Sequence, residues 1–317
     1  RKSDTWHAMG QGATTGSLVV TLEALKEMHL TPEDIQLIQN DTKTCPDTGM
    51  AGASRSLYMD GNATIIAANK LLAAMRKEDG TLRTYDEMKA EGIETKYLGR
   101  YETNTTPGLC RLDPNTGIGD PTPAFTYCLN LAEVEVDTKT GKTTVLKFTC
   151  VDFVGRIGNI DAVNGQAYSG IMHGIGFALK EDYADVKKHA NMFGAGTSYI
   201  KDVPDDINLI HIDGAISDGP FGSSGASEAF QASGHCAVLN GIYNACGVRI
   251  HEIPALPEKV KAGLDAIAKG EKPYEPKKYF LGSDMYEELE NIKENPVQVG
   301  TQSFYVSLDD PTAERPF

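Results

Sequence analysis

The chain has 317 residues, of which 40% are hydrophobic and 23% are charged, and its formal net charge is −14. This composition is typical of a folded globular protein with one large domain or two smaller ones. The negative charge argues against nucleic-acid binding, because nucleic-acid binders neutralise phosphates with Lys and Arg. No apolar run reaches the ~20 residues that a membrane-spanning helix needs, so no membrane partner is expected.

Six cysteines are present, and their spacing matches neither a C-x-x-C pair nor a zinc or iron–sulfur pattern. Cys128, Cys150, Cys236 and Cys246 lie in apolar stretches and are predicted to be buried free thiols. Residues 1–4 are followed by no apolar segment typical of a signal peptide. These features together predict a cytoplasmic protein.

The first motif is a Gly-rich turn at residues 10–17, which follows a strand-like entry at 6–9. A helix is predicted at 18–28, because Leu18, Leu22 and Leu25 share one face. Such a turn can cradle a phosphate, or it can be an ordinary close-packed turn between strand and helix. Its pattern is neither the dinucleotide fingerprint nor a Walker loop.

A second small-residue loop, at residues 49–56, precedes a long helix predicted at 57–75. Arg55 can hold a phosphate through its forked guanidinium, or it can be a solvated surface residue. A short strand is predicted at 35–38 before this loop. The polar stretch 76–122 is rich in Gly and Pro, with a short helix at 85–89, and is predicted to be an excursion between two halves.

The second half begins with two predicted strands joined by a hairpin turn, at 127–136 and 143–154. The third small-residue loop is predicted at 158–166, and the segment 167–179 carries small residues spaced for close helix packing. His173 in this segment is interpreted first as a core residue. The remaining predicted elements are strands at 197–203, 207–212 and 248–250, and helices at 230–245, 257–267 and 285–293.

The fourth small-residue loop, at residues 222–228, ends in Glu228. A carboxylate beside exposed backbone N–H groups can act as a general base on a bound substrate. In the alternative interpretation, Ser224 or Ser227 caps a helix and Glu228 occupies its favourable first turn.

The four loops in order resemble a known family, the molybdenum hydroxylases of the xanthine dehydrogenase and aldehyde oxidase type. The resemblance is strongest to bacterial aldehyde oxidoreductases and covers roughly residues 5 to 265. The motifs that carry it are Gly10-Gln11-Gly12-Ala13, Gly52-Ala53-Ser54-Arg55, Gly165-Gln166 with Gly174-Ile175-Gly176, and Gly225-Ala226-Ser227-Glu228.

The resemblance implies that this chain corresponds to the second half of the molybdopterin-binding portion of the family. The chain is therefore expected to be a fragment, a processed domain or one subunit of a larger enzyme. The implied fold is α+β, with two related two-layer units on mixed or antiparallel sheets. Residues 9–12 and 172–176 have weakly similar sequences, and each is predicted to begin a helix. The predicted domains are 1–120, 121–267 with the catalytic Glu, and a docking tail at 268–317.

The implied cofactor is molybdenum-molybdopterin cytosine dinucleotide, with [2Fe–2S] clusters on other domains or subunits. The implied partners are the first molybdopterin-binding half, the [2Fe–2S] domain and a small aldehyde substrate. Without its partner half, the chain is expected to expose an apolar face or to form a homo-oligomer that covers it.

By resemblance, Glu228 is the general base that activates water for attack on the aldehyde carbon. Burial and the charge of the nearby metal are expected to tune the basicity of its carboxylate. The resemblance also implies that this chain supplies no metal ligand. The residues expected to contact the cofactor are Gly10, Gln11, Gly12, Ala13, Ala51, Gly52, Ala53, Ser54, Arg55, Asn164, Gly165, Gln166, His173, Gly225, Ala226 and Ser227.

Three positions depart from the family pattern: Met9, His173 where a Gln is usual, and Ser227 where a Gly is usual. Three functions therefore stay open. The chain is the catalytic half of an aldehyde-oxidising hydroxylase, or of a hydroxylase for purines or other N-heterocycles, or it is a non-catalytic module that closes a partner's cofactor site.

Overall fold

A computed structural model describes residues 1–271, except for 40, 50, 104–112, 114–118, 120, 121, 123 and 186. The described residues form five strands, which are β1 Lys2–Ser3, β2 Leu37–Ile38, β3 Tyr127–Val136, β4 Thr143–Phe153 and β5 Asp206–His211. The α-helices in this part of the chain are α1 Ala13–Ala24, α2 Ser56–Met75, α3 Tyr85–Ala90, α4 Ile160–Leu179, α5 Met192–Ala195, α6 Ser227–Ala232, α7 Gly234–Cys246 and α8 Pro257–Ala268. Short 3-10 helices lie at Lys26–Met28, Pro32–Asp34, Ile200–Asp202 and Pro220–Gly222.

The larger sheet has the order β3-β4-β5 and is mixed, as the α+β prediction requires. β3 and β4 form the predicted antiparallel hairpin, with Tyr127 opposite Phe153, while β5 runs parallel to β4. The smaller sheet pairs β1 and β2 in parallel. Helices and two small sheets thus form the mixed α/β architecture that the resemblance implied.

One face of the larger sheet packs against α4, α6 and α7 and forms the main core. Phe148, Ile171 and Phe230 are fully buried there. Glycines on α4 allow the close approach, since a Cβ at Gly170 would lie 2.5 Å from Phe230 Cβ and one at Gly174 would lie 2.8 Å from Gly234 Cα. The small-residue spacing in this segment therefore does serve helix packing, as predicted.

The opposite face of the sheet is exposed and carries a group of large hydrophobic side chains. Along β3 the side chains alternate in exposure, and the outward ones are hydrophobic up to Leu131 and are then Glu133 and Glu135. The exposed hydrophobic members of this face include Tyr127, Leu129, Leu131, Ile210 and Ile212. We call these five residues the open sheet face.

Several local predictions were wrong. The third small-residue loop is instead the beginning of α4, because Asn159 caps that helix through its side chain. The predicted strand at 197–203 contains the 3-10 helix Ile200–Asp202, and no strand forms at 248–250. The predicted helix at 230–245 is two helices, α6 and α7, which are separated at Ser233. Residues 172–176 lie in the middle of α4, so they do not begin a helix.

Other predictions agree with the structure. The hairpin strands, α2, α3 and α8 all match their predicted positions to within one or two residues. Residues Arg1–Pro273 form one compact unit, and the unit that follows, Tyr274–Phe317, lies outside the described residues. The domain boundaries at 120 and 267 and the docking tail stay predictions, and the helix predicted at 285–293 also lies outside the described residues.

The cysteine prediction holds only in part. Cys150 is buried and Cys128 is half-buried, with the two Sγ atoms 3.4 Å apart, whereas Cys236 is exposed on α7. Across the described part of the chain, no helix combines the length and the apolar content needed to cross a bilayer.

Candidate functional site

One cleft, with a volume of about 560 Å³, brings together four separate segments of the chain. They are residues 6–23, 51–57, 154–166 and 220–228. Each segment contains one of the small-residue motifs that the sequence singled out. The four motifs, far apart in sequence, therefore meet in one place.

Eleven of the seventeen predicted site residues line this cleft. They are Gln11, Gly12, Ala13, Ala51, Gly52, Ser54, Gln166, Gly225, Ala226, Ser227 and Glu228. The other six do not line it. They are Gly10, Ala53, Arg55, Asn164, Gly165 and His173.

Three of those six lie on α4 but are not among the residues that line the cleft. Asn164 bonds instead to His211, with 2.7 Å between Asn164 Oδ1 and His211 Nε2. Gly165 is exposed, and a Cβ there would meet nothing within 4 Å. His173 is also exposed, so its interpretation as a core residue was wrong.

The first turns of four helices face the cleft. Gly12 precedes α1 without any side-chain cap, and Ser56 begins α2. Asn159 precedes α4 and accepts a 3.0 Å hydrogen bond from the Ala162 N–H, while Ser227 begins α6. The N–H groups of a helix's first turn have no partner within the helix, so they carry partial positive charge. The cleft wall therefore favours an anionic or strongly polar ligand.

Glu228 lies in the first turn of α6, as the sequence indicated, but its cap comes from another segment. Neither Ser224 nor Ser227 caps the helix, and Ser54 Oγ accepts a 3.0 Å hydrogen bond from the Glu228 N–H. Ser54 Oγ also donates to Glu228 Oε2 at 3.3 Å. The carboxylate is exposed in this chain, and its burial in the complete enzyme stays a prediction.

The Ser54 segment and the Gly225 segment touch through their backbones. A Cβ at Gly225 would lie 1.5 Å from the Ser54 carbonyl oxygen, so only glycine fits there. Ser54 has a left-handed φ of 53°. Phe221, which precedes the Gly225 segment in the sequence, has a left-handed φ of 55°. Non-glycine residues with positive φ are uncommon and are concentrated at functional sites.

Several residues of the cleft were not predicted from the sequence. The apolar ones include Trp6, Leu57, Val154, Ile157 and Phe221, and the polar ones include Asn159 and Arg156. The available signal for Arg156 was its place between a predicted strand and the Asn159 turn, where no other basic residue occurs. The apolar residues gave no such signal, because large hydrophobic residues usually indicate core.

Buried charges lie next to Trp6. Asp4 accepts hydrogen bonds from Ser17 and Gln39 and pairs with Lys2 at 3.0 Å. Burial, and secondarily the charge of Asp4, raise the pKa of Asp60 to about 6. Asp60 is therefore a pH-sensitive group on α2, one of the helices that border the cleft.

The residues described here include no cluster of three or more His, Cys, Asp or Glu side chains arranged to bind a metal ion. The cleft wall instead combines backbone N–H groups, small residues, hydrophobic side chains and a few polar or charged side chains.

The comparisons with known proteins give the family of this chain. The family model described as the molybdopterin cofactor-binding domain matches residues 3–204. Aldehyde oxidoreductase of Megalodesulfovibrio gigas is 42% identical over 261 residues, which cover 82% of this chain and 28% of that protein. A probable hypoxanthine oxidase of Escherichia coli is 28% identical, over 82% of this chain and 29% of that protein. The chain thus spans less than a third of the length of these relatives.

Solved structures agree with this assignment. The aldehyde oxidoreductase of Desulfovibrio desulfuricans superposes with a TM-score of 0.77 at 44% identity, covering 82% of this chain and 28% of that one. That of Desulfovibrio gigas gives 0.79 at 41% identity, covering 83% and 29%. The four converging motifs, the family model and these structures lead to one conclusion: the chain belongs to the family of molybdopterin cofactor-binding domains.

Proposed function

We propose that the chain is the second molybdopterin-binding half of a molybdenum hydroxylase that oxidises aldehydes to carboxylic acids, with water as the oxygen source. The observation that carries the proposal is the position of Glu228. Glu228 lines the cleft where the four motifs meet. It lies in the first turn of α6, and Ser54, which belongs to another motif, accepts a hydrogen bond from its backbone N–H. The 42% identity to an aldehyde oxidoreductase supports the substrate class.

The residues of the cleft fit the cofactor. Molybdopterin is a flat, polar, phosphate-bearing group, and it needs backbone donors and room for close approach. The cleft of about 560 Å³ offers both, with Gly12 in a left-handed turn at the start of α1 and Gly225 packed directly on Ser54. The residues that would hold the cofactor are Gln11, Gly12, Ala13, Ala51, Gly52, Ser54, Gln166, Gly225, Ala226 and Ser227. When bound, the molybdenum group supplies the two-electron redox chemistry.

Glu228 supplies the base. One carboxylate oxygen, Oε2, accepts the Ser54 hydroxyl, while Oε1 makes no hydrogen bond with a described residue. The free oxygen can therefore take a proton from a water molecule that attacks the aldehyde carbon. Ser54 fixes the orientation of the carboxylate, so the acceptor points in a constant direction while the proton moves.

The remainder of the enzyme would come from partners that the resemblance implies. These are the first molybdopterin-binding half and a [2Fe–2S] domain or subunit, with the cofactor in its cytosine dinucleotide form. The open sheet face supports such a partner, because exposed apolar surface of this kind usually marks an interaction site. A homo-oligomer is the alternative way to cover the same surface.

A second substrate class also has a specific observation in its favour. The relative from Escherichia coli is named a probable hypoxanthine oxidase and also matches over 82% of this chain. The alternative function is therefore hydroxylation of a purine or another N-heterocycle at the same site. Turnover of an aldehyde series against hypoxanthine and other N-heterocycles separates the two classes.

The test is Glu228→Gln in the complete protein that contains this chain. We expect the variant to keep its molybdenum and to lose at least about 10²-fold in kcat, because loss of a general base has that size. Glu258→Gln is the matched control, since Glu258 also lies in the first turn of a helix but does not line the cleft. A near-normal kcat in Glu228→Gln would reject the catalytic role and leave the non-catalytic module as the better description.

A further inference from the structure

Arg156 is a cleft residue whose charge nothing in the described part of the chain neutralises. It is the single Lys or Arg among the described residues that line the cleft. Its side chain is exposed and makes no hydrogen bond or ion pair with a described residue. The other charged residues along the cleft, Glu23 and Glu228, are both acidic.

The backbone of Arg156 is held firmly. Its N–H donates to the Gly222 carbonyl at 2.9 Å, and its own carbonyl accepts the Ser223 hydroxyl at 2.6 Å. Gly155 has a left-handed φ of 80°, and a Cβ there would lie 2.4 Å from the Gly222 oxygen. The chain thus fixes the backbone of Arg156 at the cleft wall, and its exposed guanidinium has no partner among the described residues. A side chain presented in this way is preorganised for a ligand.

Several other arginines in the described chain have protein partners. Arg83 pairs with Glu91 at 2.7 Å, Arg76 pairs with Glu27, and Arg249 stacks 3.7 Å from the ring of Tyr243. In a chain with a net charge of −14, carboxylates are plentiful. The open guanidinium on the cleft wall therefore points to an anionic group of the ligand.

We propose that Arg156 binds a phosphate group of the molybdopterin cofactor. The inference rests on the proposed function and adds a residue to it. A guanidinium matches phosphate oxygens with two parallel hydrogen bonds, which a lysine ammonium cannot reproduce. The other charged side chains among the described cleft residues are acidic, so Arg156 is the side chain that offsets the negative charge of the phosphate.

The test compares Arg156→Gln and Arg156→Lys with wild type in the complete protein. The control is Arg100→Gln, because Arg100 is exposed and pairs only with its near neighbour Glu102. The first readout is the molybdopterin and molybdenum retained per protomer after dialysis at increasing KCl. We expect retention in Arg156→Gln to weaken by at least about tenfold, with Arg156→Lys in between, because a charged hydrogen bond has that strength. Arg100→Gln should match wild type.

The second readout needs no loaded enzyme. Inorganic pyrophosphate should raise the melting temperature of the cofactor-free wild type and not that of Arg156→Gln. The melting temperatures of the cofactor-free proteins without pyrophosphate should agree, because the side chain has no structural partner. If Arg156→Gln fails to fold, Arg156→Lys decides the question through the same two readouts.

The contrary outcomes are distinct. Wild-type cofactor retention and an unchanged pyrophosphate response in Arg156→Gln would overturn the proposal. Normal retention with a raised KM for a carboxylate-bearing aldehyde would also overturn it, because Arg156 would then meet the substrate. A wild-type protein that never contains molybdopterin would instead reject the proposed function itself.

Discussion

Ser54 caps the helix that carries Glu228, although the two residues are 174 positions apart in the sequence. The Ser54 hydroxyl accepts from the Glu228 N–H at 3.0 Å and donates to Glu228 Oε2 at 3.3 Å. A helix N-cap is normally the residue just before the helix. In this protein, the link makes the orientation of the Glu228 carboxylate depend on the left-handed turn that holds Ser54.

Ser54→Ala should therefore impair catalysis more than folding. Loss of the cap and of the carboxylate contact should cost about 1 kcal/mol in stability. The kcat of the complete enzyme should fall by about tenfold, because the Glu228 carboxylate loses its fixed orientation. Steady-state kinetics and a thermal melt measure both effects. Ser56→Ala is the control, since Ser56 begins α2 on the same cleft without a hydrogen bond to Glu228. Equal kcat values for the two variants would contradict a positioning role for Ser54.

The site was largely predictable where it depended on small residues in short motifs. Gly12, Gly52 and Gly225 line the cleft as expected, because a close approach of backbone and ligand demands glycine and leaves a visible pattern. Long-range partners left no pattern. Nothing in the sequence near residue 228 indicates that its cap is Ser54 or that Arg156 lies on the same wall.

The fold was predictable where periodicity was strong, as in the hairpin of β3 and β4. It was not predictable where turn-forming residues also suit helices. The segment 158–166 contains Asn and Gly and was interpreted as a loop, but Asn159 is the N-cap and the following residues are the first turns of α4. A strand was predicted at 197–203, whereas no strand among the described residues pairs with this segment and a 3-10 helix forms.

Two glycine substitutions test which glycines the cleft requires and which only occupy a position in a helix. Gly225→Ala should destabilise the protein and abolish cofactor binding, because the new Cβ would collide with the Ser54 carbonyl oxygen at 1.5 Å. Gly165→Ala should raise stability by about 0.5–1 kcal/mol, because alanine is the better helix former and the added Cβ meets nothing within 4 Å. Thermal melts and molybdenum content provide the measurements. Loss of cofactor in Gly165→Ala would show that Gly165 does contact the cofactor, as predicted from the sequence.

Asp60 should make stability fall as the pH rises. Its pKa in the folded protein is about 6, above the ordinary value of 3.8, chiefly because of burial and then because of Asp4. The folded state therefore disfavours the ionised form, and the penalty is absent below about pH 4 and complete above about pH 6. Asp60→Asn should stabilise the protein by up to about 2 kcal/mol at pH 8, with little effect at pH 4. Melting curves across this range test the sign, and a gain that is equal at both pH values would contradict it.

His211 should stabilise the protein by satisfying a buried carboxyl group. Asp152 is 1% exposed, and its Oδ2 lies 2.7 Å from His211 Nδ1, while its Oδ1 has no hydrogen-bond partner among the described residues. Burial raises the pKa of Asp152, and the hydrogen bond with His211 lowers it in part. Removing His211 leaves only the effect of burial, so the ionised form becomes still less favourable in the folded state.

His211→Ala should therefore destabilise the protein by about 3 kcal/mol at pH 8, the size expected when one partner of a buried pair is removed. The loss should be smaller at an acidic pH than at pH 8, because protonation removes the charge of Asp152. The double variant His211→Ala with Asp152→Asn should lose this pH dependence, because no carboxyl group is left to titrate. Urea unfolding at the two pH values measures all three proteins. A pH-independent loss in His211→Ala would mean that packing, and not the buried charge, accounts for the effect.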